Sequence, residues 1–118
     1  MTIADLTMAL AKPIREYETV KVWDTGLRNQ WGGDPLGEEP DLLTTLEEFC
    51  AFVGEDPDAI VGKLFRIRKE DGERVLSVKW RTHYANKVKE FRGSGPAGQR
   101  KGSDVLSFMI HNGVLIQV

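Results

Sequence analysis

Apolar residues recur at helical spacing along most of this 118-residue chain, with Pro and Gly marking the joints. The clearest segment is Leu42, Leu43, Leu46, Phe49, Cys50 and Val53, whose offsets of 0, 1, 4, 7, 8 and 11 place them on one helical face. Asp41 stands ready as its cap and Gly54 as its stop. Asp56-Pro57 then opens a second helix burying Ile60, Val61, Leu64 and Phe65, since Asp can cap and Pro suits the first helical position. Arg66, Arg68 and Lys69 fall in its last turn, where they suit the helix dipole as well as a ligand. Upstream, Ile3 to Leu10 forms a short helix ending before Pro13, and Ile14 to Trp31 carries several apolar pairs three or four apart, which favours helix. The run from Gly32 to Pro40 is turn chemistry and is expected as an exposed loop.

Residues 65–80 admit two readings. Phe65-Arg66-Ile67-Arg68 and Leu76-Ser77-Val78-Lys79-Trp80 both alternate around Asp71-Gly72, a hairpin signal. Trp80, Tyr84, Val88 and Phe91 continue at helical spacing instead, predicting a helix from about Ser77 to Phe91. A last helix runs from near Ala97 to His111, burying Val105, Leu106, Met109 and Ile110 and closing at Asn112-Gly113; Val114 to Val118 is extended. The expected fold class is all-α, a compact bundle of four to five helices.

The net charge of −2 conceals an asymmetry. Met1 to Ile60 holds four Lys/Arg against thirteen Asp/Glu, and Val61 to Val118 twelve against five. The second half therefore presents a basic surface to an anionic partner, unless the acidic half docks on it and cancels the patch. Two histidines and one cysteine, with no H-x-x-x-H, C-x-x-C or phosphate-loop spacing, point to no catalytic centre, no metal and no cofactor. Cys50 sits in an apolar pattern and reads as a core residue, while Glu47-Glu48 and Asp56/Asp58 read as solvated faces and caps. With neither a signal segment nor about 20 successive apolar residues, the expectation is a cytoplasmic protein with no membrane partner.

On the last helix, Arg100, Ser103, Ser107 and His111 share a stripe opposite the expected apolar face. Such a stripe suits DNA: Arg takes guanine edges or phosphate, and small hydroxyl residues let a helix sit close to the duplex. Gln99 and Lys101 add contacts near the helix N-terminus, Gly102 removes bulk there, and Lys79, Lys87 and Arg92 supply phosphate contacts from the preceding helix. A solvated polar face of an amphipathic helix has the same pattern.

Leu43-x-x-Leu46-x-x-Phe49-Cys50-x-Phe52-Val53-Gly54, followed by Asp56-Pro57-Asp58-x-Ile60-Val61, resembles the helix-plus-PD pattern of the core-binding, SAM-like N-terminal domain of tyrosine site-specific recombinases of the phage-integrase type. Ser103-x-x-x-Ser107-Phe108-x-x-His111-Asn112-Gly113-Val114 is similar to that family's closing helix, and Tyr84 to Phe91 resembles the helix between. The resemblance spans about Asp41 to Val114 and divides the chain into a helical N-terminal segment and loop (1–40), the core-binding domain (41–114) and the start of a linker (115–118). It implies a non-catalytic domain that positions double-stranded DNA for recombination by a separate catalytic domain, monomeric alone and oligomeric on DNA. With no room after Val118 for that catalytic domain, it implies a fragment or a natural orphan. Arg100, Lys101, Ser103, Ser107 and His111 are the positions carried over from the family's groove-facing helix; the acidic helix at Asp41 departs from the family's basic one. Two other functions fit the composition: a helical protein-interaction module, and an orphan helix-turn-helix regulator acting as a dimer on a palindrome.

Overall fold

A computed structural model describes residues 10–118; the helix expected over Ile3 to Leu10 lies almost wholly outside them. A 3-10 turn (Ile14–Glu16) leads into α1 (Glu18–Trp31), α2 (Pro35–Glu38), α3 (Asp41–Val53) and α4 (Pro57–Leu64). A two-stranded hairpin, β1 (Phe65–Ile67) and β2 (Arg74–Leu76), precedes α5 (Val78–Arg92) and α6 (Pro96–His111). The protein is thus mostly helical with one tiny antiparallel sheet.

α6 is the central helix, packed against α1, α3 and α5. Trp23 and Leu27 of α1, Leu46, Phe49 and Cys50 of α3, Ile60 and Leu64 of α4, Tyr84 and Val88 of α5, and Val105, Phe108 and Met109 of α6 are buried in one cluster. Trp23 meets Phe108 edge to face at 5.6 Å, an arrangement that the ring quadrupoles favour. α1 therefore belongs to the same core as the downstream helices. The tail also joins it, since Val114 and Ile116 are buried while Leu115 and Gln117 between and beyond them are exposed, an extended chain's two-residue period.

The α3 face forms as its pattern predicts, and Gly54 ends it with φ 74° and ψ 27°, a left-handed conformation that suits glycine. Asp41 is not its cap: it lies in the first turn, Pro40 takes the cap position, and no side chain caps the helix. α4 opens as expected, with Asp56 Oδ1 accepting the Ala59 N–H at 2.7 Å. It stops at Leu64, however, so Arg66, Arg68 and Lys69 belong to the hairpin and its turn and not to a last helical turn.

Both readings of residues 65–80 hold in part, and Ser77 divides them. Its N–H donates to the Leu64 carbonyl at 2.7 Å, closing the root of the hairpin. Its hydroxyl accepts from the Trp80 N–H at 3.3 Å, capping α5. At the hairpin turn Asp71 pairs with Arg68 and accepts the Glu73 N–H, while Gly72 takes φ 72°.

Two further expectations are corrected. The Gly32–Pro40 loop contains the short helix α2, because Pro35 and Leu36 are buried under the start of the bundle. The last helix is turned relative to its predicted orientation: Gly102, Val105, Phe108 and Met109 are buried, Leu106 is half-buried, and Ile110 is 53% exposed. Close approach to α5 sets this rotation. A Cβ at Gly98 would overlap the Arg92 carbonyl oxygen, and one at Gly102 would lie 3.1 Å from Arg92 Cδ. Gly102 thus admits a neighbouring helix and not a ligand.

Candidate nucleic-acid interface

The sequence-predicted stripe on α6 divides between three environments. Ser107 Oγ accepts the indole N–H of Trp23 at 3.1 Å, and Trp23 has no exposed surface. His111 stacks its ring against Gly26 of α1 and places Nδ1 2.8 Å from the Ser107 carbonyl, with the proton between them. These two side chains hold α6 to α1. Asn112 adds to the same seam, donating to Thr19 O at 3.1 Å and Phe108 O at 2.9 Å.

At the other end of α6, Lys101 meets Glu48 of α3 at 2.9 Å and Arg100 lies 3.6 Å from Asp41. Here the acidic half does dock on the basic half. Both pairs are exposed, where screening leaves an ion pair about 0–1 kcal/mol. Asp104 lies in the same α3–α6 cleft with its carboxyl raised by burial. Only Gln99 and Ser103 of the predicted α6 residues point freely outward, in line with Leu106 and Ile110.

α5 is different. Tyr84 and Val88 are its buried residues, and the rest of its surface carries Lys79, Arg81, Lys87, Lys89 and Arg92 against a single acid, Glu90. Lys87 pairs with Glu90 at 3.4 Å, and the stem of Arg92 covers Gly102. Lys79 lies 5.3 Å from the Trp80 ring centroid. Among the described residues, Lys79, Arg81 and Lys89 have no carboxylate within ion-pair distance. Arg81, Thr82, Asn86 and Lys89 share one helical face, and together with the tail at Leu115–Gln117 they wall an open groove of about 520 Å³. The buried pair Val114 and Ile116 pins the tail in place, so the groove's second wall is tied to the core.

Two cations, a hydroxyl and an amide in one groove can neutralise phosphates and donate to acceptors along a backbone. Sequence reasoning placed Lys79, Lys87 and Arg92 on this helix but passed over Arg81, Thr82 and Asn86. The signal was present for two of them: with Tyr84 and Val88 taken as the buried positions, Thr82 and Asn86 fall on the opposite side, whereas Arg81, seven positions before Val88, flanks the buried face and is exposed only at its edge.

The remaining titratable side chains serve packing. Tyr84 donates to Glu55 Oε1 at 2.7 Å, and burial together with that carboxylate pushes its phenol far above the ordinary value. Glu55 also pairs with Lys63, joining the α3–α4 turn to α4 and α5. Burial likewise raises the Cys50 thiol, which makes it a poor nucleophile. Asp58 spans two elements: its carboxylate accepts from the Thr19 hydroxyl at 2.6 Å, the Thr19 N–H at 2.9 Å and the Glu18 N–H at 3.3 Å. It thereby caps α1 from α4. Burial opposes its ionisation, but these hydrogen bonds outweigh burial and hold the carboxyl below its usual range.

No family model matches the chain, and no curated protein or solved structure matches it. Among the described residues no helix is long and apolar enough to cross a membrane, and no three His, Cys, Asp or Glu side chains converge.

Proposed function

We propose that this chain is a non-catalytic domain that binds double-stranded DNA, in the manner the resemblance to recombinase core-binding domains implies, and that it positions the duplex for chemistry carried out elsewhere. The observation that carries the reading is the exposed surface of α5, whose cations Lys79, Arg81 and Lys89 are unpaired among the described residues, Arg81 and Lys89 sharing one groove, while those on α6 are held by α3. Arg81 and Lys89 neutralise phosphates, Thr82 and Asn86 donate beside them, and Gln99 and Ser103 on the outer side of α6 extend the polar surface.

Each phosphate contact adds about 0.9 to the steepness of log affinity against log salt. Anisotropy of a labelled duplex should therefore give a clear negative slope for the wild type, shallower by about 1.8 in Arg81→Ala/Lys89→Ala. Absence of salt-dependent binding at low ionic strength would overturn the proposal. A competing reading draws on the exposed carboxylates Glu38 and Glu39 at the opposite end of the charge asymmetry: a second copy could present them to α5. It predicts concentration-dependent self-association in sedimentation.

A further inference from the structure

The β1–β2 hairpin has a composition that its packing does not require. Phe65 and Leu76 are half-buried against the core and anchor the hairpin to the bundle, and Val75 is half-buried on the other face, whereas Ile67 is 64% exposed and Arg66 and Arg74 are exposed. The antiparallel register pairs Arg66 with Val75 and Ile67 with Arg74, so Ile67 and Arg74 share one face and Arg66 projects from the other. Arg74 stacks its guanidinium 3.7 Å above the Phe65 ring centroid, which fixes the planar group and leaves its N–H edge available for bidentate contact. Among the described residues neither Arg66 nor Arg74 has a carboxylate within ion-pair distance.

Charge is graded along the hairpin. The turn is close to neutral, with Asp71 bound to Arg68 and Lys69 beside Glu70 and Glu73. The strands carry Arg66 and Arg74 and lead through Ser77 into Val78, Lys79 and Arg81 at the start of α5, Val78 itself being 66% exposed. An exposed aliphatic residue with one free arginine beside it and a second on the opposite face of the strand matches the way short arms enter a DNA minor groove, where guanidinium groups follow the negative potential and an apolar side chain lies on sugar and base edges.

Resting on the DNA-binding reading above, we infer that the hairpin is a second DNA-contacting element, an arm that lays Ile67 in the minor groove while Arg74, on the same face, and Arg66, on the opposite face, hold phosphates on the two sides of the groove. α5 supplies one cationic surface and the hairpin another, joined by the Ser77 cap.

The two kinds of contact respond differently to salt, which gives the test. Anisotropy with a labelled duplex is measured across a salt series for the wild type, Arg66→Ala/Arg74→Gln and Ile67→Ser. All three side chains are exposed, and circular dichroism establishes that each variant is folded. The arginine variant is expected to lower the steepness of the salt dependence by about 1.8, because two phosphate contacts are lost. Ile67→Ser is expected to weaken binding about fivefold at every salt concentration with an unchanged slope, because only apolar burial is lost. Wild-type binding with both hairpin variants indistinguishable from it would overturn the inference and leave the α5 reading standing. Failure of the wild type itself to bind would overturn both.

Discussion

Ser107→Ala separates a structural from a DNA-reading role for the α6 stripe. In the fold Ser107 Oγ is the acceptor for the indole N–H of Trp23, 3.1 Å away, and Trp23 is fully enclosed. Truncation strands that donor in an apolar core, at a cost of about 1–3 kcal/mol. Alanine is the better helix former, which returns about 0.5 kcal/mol at this mid-helix position. The net loss is about 0.5–2.5 kcal/mol, and with about 4 °C per kcal/mol for a domain of this size the melting temperature should fall by about 2–10 °C. Thermal unfolding followed by far-ultraviolet circular dichroism measures this. In a Trp23→Phe background, which has no N–H to strand, the same Ser107→Ala change should cost about 1 kcal/mol less. Duplex affinity at a temperature well below the transition should match the wild type. A Ser107→Ala protein that melts with the wild type but loses DNA affinity tenfold would refute the reasoning, because Ser107 would then be reading DNA and not holding Trp23.

Gly98→Ala should destabilise by about 3 kcal/mol or more, since its Cβ would overlap the Arg92 main-chain carbonyl. Gly102→Ala meets only the flexible Arg92 stem, gains helix propensity and should stay within about 1 kcal/mol of the wild type by urea denaturation. Asp58→Ala should lose the cap on α1, about 1 kcal/mol near neutral pH. Because the folded-state carboxyl is depressed, this contribution is present above the unfolded value near 3.9 and disappears as pH falls through the folded value, so the stability curves of wild type and variant should converge below about pH 4. Arg100→Ala/Lys101→Ala should flatten the salt dependence of DNA binding less than Arg81→Ala/Lys89→Ala does, because Asp41 and Glu48 already neutralise the first pair.

How far the fold was legible depended on whether the determining interaction was local. The α3 face, the Asp56-Pro57 start of α4 and the Gly54 stop are near-neighbour effects, and each forms where its pattern places it. α2 escaped notice because its Gly- and Pro-rich composition reads as a turn; it packs against α1 with Leu36 buried in the core cluster, which local propensity does not reveal. The hairpin and α5 competed for one alternating stretch, and the division at Ser77 depends on a hydrogen bond to Leu64, thirteen positions earlier. The rotation of α6 was out of reach for a different reason. Amphipathicity alone balanced Leu106 and Ile110 against Phe108, and the glycines that admit Arg92 of α5 decided between them.

The candidate interface followed the same rule. The charge asymmetry located a basic half, but which cations are neutralised is a tertiary property: Lys101 finds Glu48 across 53 positions, whereas Arg81 and Lys89 find no carboxylate among the described residues. Ser107 and His111, polar and evenly spaced, looked like a reading surface because their partners Trp23 and Gly26 lie more than eighty positions away on α1.

The most direct test of the DNA-binding account is titration of the isotope-labelled protein with a short duplex, followed by amide chemical shifts. The account predicts that Arg81, Thr82, Asn86 and Lys89 on α5 shift progressively with added DNA and return as salt is raised, while Ser107 and His111 move little. Shifts centred on Ser107 and His111, or none at low salt, would contradict it.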